Sequence, residues 1–212
     1  MRGRSSAVPS PPKPDSLSTR ERLLEAAREL IEEGGYAAAT VAAITARAGV
    51  AAGTLYRHFE SKEELFVEVF RSVCDRELRA VARAARAASG SPMVRLETLL
   101  GTFARRALRC PRLAWALLAE PVDPLVDAER LAYRARYAAL VASCLEAGVA
   151  AGELPEQDIA LTAAALVGAC GEALVGPLSP LGRRRPPAGE TLAALQTFVR
   201  RAAGAPYRVE IA

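Results

Sequence analysis

Apolar residues recur along this chain three and four positions apart, and period-two alternation is hard to find. The first stripe is Leu23, Leu24, Ala27, Leu30 and Ile31, one face of an amphipathic helix. Ser18 and Glu21 form the pattern of a capping box, in which each side chain satisfies an amide at the helix start. Gly34-Gly35 ends that helix, because glycine reaches the left-handed conformation a C-cap needs. A short second helix is expected over residues 40–48, with Thr40 as N-cap and Val41, Ile44 and Ala48 turned inward. Gly49-Val50 makes a tight turn, and a third helix is expected over residues 51–59. Ser61 with Glu64 reads as a second capping box. It opens a long fourth helix, residues 61–88, whose stripe is Leu65, Phe66, Val69, Phe70 and Val73.

Ser89-Gly90-Ser91-Pro92 stops the fourth helix, and the pattern behind it stays helical. Helices are expected at 92–109, 111–119, 124–151, 156–177 and 188–203, bounded by Pro111, Pro121, Pro124, Pro155 and the segment from Pro177 to Pro187. The fold class is therefore all-α, with about nine helices. Residues 1–16 carry Pro9, Pro11, Pro12 and Pro14 and read as a disordered basic tail.

Composition sharpens this picture in three ways. Hydrophobic residues make up 51% and charged residues 25% of the 212 positions, a globular balance. The formal net charge of +4 tolerates a polyanionic partner without demanding one. It is carried by arginine, since Lys13 and Lys62 are the chain's lysines. Cys74, Cys110, Cys144 and Cys170 are widely spaced and form no C-x-x-C pair, and His58 is the sole histidine. No zinc set follows, and no cofactor or metal is expected. The N-terminus has no apolar signal segment, so a reducing cytoplasm and four ordinary buried thiols are the expectation. Residues 159–178 are long and apolar enough to suggest a membrane span. Glu172 and the weight of alanine and glycine point instead to a buried helix, with no membrane partner.

Two short helices joined by a glycine-containing turn and braced by a longer first helix describe a helix-turn-helix. The turn holds the third helix across the second, so one face can enter a major groove about 12 Å wide. Thr54 and Tyr56 offer hydroxyls to phosphate oxygens, and Arg57, His58 and Lys62 add cationic or hydrogen-bonding contacts. Lys62 also lies in the first turn of the fourth helix, where free amides attract phosphate.

The stretch from Thr40 to Phe66 resembles the DNA-binding signature of the TetR family of bacterial regulators. Matching residues are Thr40, Val41, Ile44, Ala48, Gly49, Val50, Gly53, Thr54, Leu55, Tyr56, His58, Phe59, Ser61, Lys62, Leu65 and Phe66. The resemblance implies a nine-helix dimer with an N-terminal helix-turn-helix domain (17–62, linking helix 61–88) and a C-terminal effector-binding and dimerisation domain (63–212). It implies that Thr40, Gly53, Thr54, Tyr56, His58 and Lys62 lie at DNA while Leu55 and Phe59 hold the third helix to the core. Packing between helices is the other reading of Tyr56 and His58. The chain departs from the family at Ala51-Ala52, where many relatives have serine or threonine and then a polar residue. The third helix thereby loses a side-chain N-cap. Ala52 is then expected to pack on a thymine methyl, so replacing that thymine by uracil should weaken binding, and unchanged affinity would remove the idea.

Two further sites are expected behind this domain. Leu161, Ala164, Gly168, Gly171 and Val175 are spaced 3, 4, 3 and 4, a seam whose small residues admit another helix closely. With Leu192, Leu195 and Val199 of the last helix they are assigned to a homodimer interface, the pairing that the resemblance implies; an intramolecular seam is the alternative. A two-fold dimer suits a palindromic double-stranded operator with half-sites about 34–36 Å apart. Phe103, Cys110, Trp115, Leu118, Tyr133, Tyr137 and Cys170 are the candidate lining of a small-molecule effector pocket, with the fourth helix as lever to the DNA. Glu120, Arg134 and Arg136 would set its polarity. The expected function is a repressor released from its operator by an effector; a thiol-redox-responsive regulator without a ligand is the alternative. An enzyme is not expected, because the sole histidine sits in the helix-turn-helix and cannot serve a nucleophile elsewhere.

Overall fold

The computed structural model describes residues 17–182 and 186–205, so the expected tail at 1–16 lies outside the described residues. Eight α-helices and one 3₁₀ helix follow one another without a strand among the described residues: α1 (Thr19–Gly34), α2 (Val41–Arg47), the 3₁₀ helix (Ala52–Arg57), α3 (Lys62–Ala87), α4 (Pro92–Arg109), α5 (Pro111–Leu118), α6 (Pro124–Ala150), α7 (Ile159–Leu178) and α8 (Ala188–Ala202).

The helix starts follow the capping chemistry. The Ser18–Glu21 box is complete: the Ser18 hydroxyl accepts from the Glu21 amide and the Glu21 carboxylate from the Ser18 amide. Thr40 accepts from the Ala43 amide at 3.1 Å. The second box is only half formed. Ser61 accepts from the Glu64 amide at 3.1 Å, but the Glu64 carboxylate takes the amide of Glu60 instead. Asp123 opens α6 and Asp158 opens α7, which therefore begins at Ile159 rather than 156.

Two differences from expectation bear on function. The third helix is 3₁₀, with Thr54 N–H donating to the Ala51 carbonyl and His58 N–H to that of Leu55, at 2.9 and 3.0 Å. Ala51 supplies no side-chain cap and Gly53 lowers helix propensity, conditions in which the tighter i→i+3 pattern satisfies amides sooner. Helix α7 is not buried all round. Ala163, Leu166, Cys170, Leu174 and Leu178 form its one buried stripe, while Leu161, Ala164, Ala165, Gly168 and Ala173 face outward. It remains the one described helix long and apolar enough to cross a membrane.

Two cores hold the chain. The first joins Leu23, Ile31, Ile44, Leu55, Phe59, Leu65 and Phe70, and takes Leu113, Ala116, Val126 and Tyr133 from α5 and α6. The second gathers Leu96, Leu99, Val141, Leu145, Leu166, Leu174, Leu195 and Val199. Helix α5 docks on the end of α1. Arg112 donates to the Gly34 carbonyl at 2.6 Å and pairs with Glu120 at 3.2 Å. Gly35 permits this contact: its φ is +79°, and a Cβ there would lie 1.8 Å from the Arg112 guanidinium.

Candidate functional site

Around the helix-turn-helix, the buried anchors are Ile44, Leu55 and Phe59, each at most 2% exposed. Thr45, missed in the sequence, is buried too and donates its hydroxyl to the Val41 carbonyl at 2.9 Å, which lets a polar residue sit under α2. Phe59 is covered by the Arg20 guanidinium, 4.8 Å from the ring centroid. Gly49 takes φ +65° at the turn. With Leu55 and Phe59 pinned four residues apart, the opposite face stands free. Ala51, Ala52, Gly53, Tyr56, Arg57 and His58 are exposed, Tyr56 at 59%, and Thr54 is half-buried. Thr40 is exposed beside them, although its hydroxyl also caps α2. Lys62 lies over the Phe66 ring at 5.3 Å, its ammonium at the start of α3. Packing as the alternative role of Tyr56 and His58 is not what the structure has.

Arg47 is an arginine at this end that is already engaged. It binds Glu33 and Glu29 at 2.9 and 3.2 Å, fastening α2 to α1.

Behind this unit lies a cavity of about 760 Å³. Phe103, Cys110, Leu118, Tyr133, Tyr137 and Cys170 line it, brought together from α4, α5, α6 and α7. Trp115 does not; it packs half-buried against the second core, on another side of α5. Phe103 and Tyr137 meet edge to face, 5.4 Å between centroids. The Tyr133 hydroxyl donates to Asp75 at 2.6 Å. Burial, and then the Asp75 contact, push Tyr133 up to about 12. Tyr133 and Arg136 together hold the Asp75 carboxyl below its ordinary range.

Several wall residues were not anticipated: Arg28 and Glu32 of α1, Arg76 and Glu77 of α3, Arg106 and Arg109 of α4, and Arg130 of α6. They lie on the polar faces of separate helices, and no spacing in the sequence links them. Of the polar residues that were named, Arg134 joins the wall, Arg136 pairs with Asp75 at 2.8 Å, and Glu120 serves the α1–α5 joint. The α3 wall matters most for coupling, because the helix that bears Phe70, Val73 and Cys74 begins at Lys62.

The thiols divide. Cys74 and Cys170 are buried, and burial pushes them up to about 12 and 11, which leaves little thiolate at neutral pH. Cys110, expected to be buried, is exposed at the corner between α4 and α5.

The assigned interface residues also divide. Leu161 is 68% exposed, Ala164 and Gly168 are exposed, and Gly171 and Val175 are half-buried in the cavity wall. Leu195 and Val199 are corrected: at 8% and 1% exposure they belong to the chain's own second core, against which Leu192 also packs. Phe198, 41% exposed, lies at the edge of the same apolar stripe and is the one of these large residues that looks outward.

Residues 23–69 match the family described as "Bacterial regulatory proteins, tetR family". The chain is 34% identical to the HTH-type transcriptional repressor KstR2 of Rhodococcus jostii over 151 residues, 68% of this chain and 73% of that one. It is 39% identical to the HTH-type transcriptional repressor KstR of Mycolicibacterium smegmatis over 98 residues, 46% of this chain and 48% of that one, so it spans about half the length of that relative. The fold is shared with FadR of Bacillus subtilis, a structure solved with stearoyl-CoA, at a TM-score of 0.69 and 19% identity, covering 88% of this chain and 99% of that one. The relatives are transcriptional repressors, not enzymes. With an exposed helix-turn-helix face, a matching family signature and a repressor relative aligned over most of its length, the chain belongs to the TetR family of bacterial regulatory proteins.

Proposed function

We propose that this protein is a cytoplasmic DNA-binding repressor that acts as a homodimer on a palindromic operator and leaves it when a small molecule enters the C-terminal cavity. The observation that carries the reading is the division of the 3₁₀ helix: Leu55 is fully buried while Tyr56, Arg57 and His58 stand in solvent. Nothing in the chain's own packing asks for that row of donors, and a phosphate backbone with base edges beside it does.

Dimerisation is supported by the outer faces of α7 and α8. Leu161 and Phe198 are large apolar residues left open, and a Cβ at the exposed Gly176 would meet nothing within 4 Å. A second copy that covers this surface removes apolar area from water and brings a second 3₁₀ helix to the same duplex. The effector part rests on the largely apolar cavity and on the ligand held by the FadR neighbour. The effector must favour the DNA-incompetent state, since equal affinity for both states shifts nothing.

The test is to recover genomic fragments bound by the purified protein and to measure affinity for the selected site. Tyr56→Ala with His58→Ala should weaken binding at least tenfold with the helical content unchanged. A double variant that binds the selected site as tightly as the parent would overturn the reading.

A further inference from the structure

The charged residues around the cavity do not cancel, and where the excess falls says what the ligand carries. Helices α4 and α6 run antiparallel. The Met93 amide, at the start of α4, donates to Glu153 just past the end of α6, and Phe103 meets Tyr137 further along. One more turn in each direction brings Arg106 of α4 level with Arg134 of α6, and Arg109 lies a further turn along α4 on the same cavity wall. Arg106 is neutralised by a two-pronged pair with Glu77, and the same carboxylate lies 3.8 Å from Arg76. Arg28 pairs with Glu25 and Glu32, each at 2.6 Å, and Arg130 with Asp127 and backbone carbonyls of α5. Arg109 and Arg134 have no carboxylate among the described residues, although both belong to the cavity wall and both are exposed. Glu172 of α7 also lines the cavity without an ion pair among the described residues, so one negative group stands against two positive ones.

Two guanidinium groups without carboxylate partners on the wall of one apolar chamber make that wall electropositive, and arginine is the side chain best shaped to hold carboxylate or phosphate oxygens. The chamber behind them is lined by Leu100, Phe103, Leu113, Leu118 and Tyr137. Its volume of about 760 Å³ lies high in the usual range for small-molecule sites, about 300–1,000 Å³.

We infer that the effector is an amphipathic anion, its apolar body in the chamber and its carboxylate or phosphate headgroup at the part of the wall that bears Arg109 and Arg134. This rests on the reading of the cavity as the effector site. The experiment measures binding of hexadecanoate, hexadecanoyl-coenzyme A, hexadecanol and free coenzyme A to the full chain, by displacement of a fluorescent fatty acid and by emission of Trp115. Both acyl anions should bind at least tenfold more tightly than the alcohol. Arg109→Gln with Arg134→Gln should remove that advantage and leave the affinity for the alcohol unchanged, with the thermal midpoint preserved. A larger loss for hexadecanoate than for the thioester assigns the subsite to a carboxylate, and the reverse assigns it to phosphate. Alcohol bound as tightly as the anions, or equal losses for all amphiphiles in the double variant, would overturn the inference while sparing the chamber. Failure of every amphiphile, charged and neutral, to bind would overturn the chamber reading and the inference together.

Discussion

Gly35 and Gly53 are glycines for opposite reasons. Gly35 is demanded by the protein itself, through its φ of +79° and the Arg112 guanidinium pressed against it. Gly53 has neither constraint, and a Cβ there would meet nothing within 4 Å. Under the proposed function, that open position lies on the exposed side of the 3₁₀ helix that approaches DNA. Gly35→Ala should therefore destabilise the fold by more than about 1 kcal/mol, while Gly53→Ala should leave the denaturation midpoint in place and weaken operator binding. Equal effects of the two on stability would contradict this contrast. Asp75 carries a pH prediction. Its carboxyl is lowered first by the Tyr133 hydroxyl and then by Arg136, so the stability it contributes is present above its unfolded value, about 3.9, and lost as pH falls through the lower folded value. Asp75→Asn should lower stability at neutral pH and flatten the decline below about pH 4. Parallel urea-denaturation curves for the two proteins across that range would refute it.

At the scale of elements, α5 is the joint between the reading head and the cavity. Its Leu113, Leu117 and Leu118 line the cavity while its Arg112 caps the negative end of α1, and Glu120 just beyond it completes the contact. Arg112 Nη1 and Glu120 Oε2 are buried without further hydrogen-bond partners, so the pair depends on itself. Arg112→Ala should cost about 1.5–3 kcal/mol, the range for hydrogen bonds to charged groups. Adding Glu120→Ala should recover part of that loss by removing the stranded carboxylate, and a double-mutant cycle measures the coupling. Additive losses would show that the two do not act as one contact. The element boundaries were legible at Ser18 and Thr40, where a side chain made the cap, but not at Asp158, whose cap starts α7 later than the spacing suggested. They slipped where the signal was shared. Glu64 turned to Glu60, and Ala51 offered no cap to distinguish an α-helical start from a 3₁₀ one.

The whole molecule raises the question of what covers α7 and α8. Phe198→Asp should yield a monomer by light scattering, with unchanged circular dichroism and much weaker operator binding. A dimer that persists would relocate the interface. Leu195→Ala acts differently, since Leu195 is inside the second core, and should destabilise the fold by about 2–5 kcal/mol. The two positions lie three residues apart on one helix. Periodicity identifies the apolar face of α8, but only the packing against the second core says which of its residues the chain buries for itself.

The all-helical architecture, the order of its elements and the free face of the recognition segment followed from local chemistry. Each depends on residues within a few turns of one another, and spacing and capping record those contacts directly. The cavity followed in part: its aromatic lining was readable as apolar periodicity, but Trp115 was indistinguishable from Phe103 until the helices were placed. Its charged rim was not readable at all. Arg109 and Arg134 are ordinary polar-face residues on two helices. They come to line one cavity only because α4 and α6 pack antiparallel, with Phe103 against Tyr137 setting the register. Charge neutralisation is a property of distances between elements, and the chain acquires those distances only on folding.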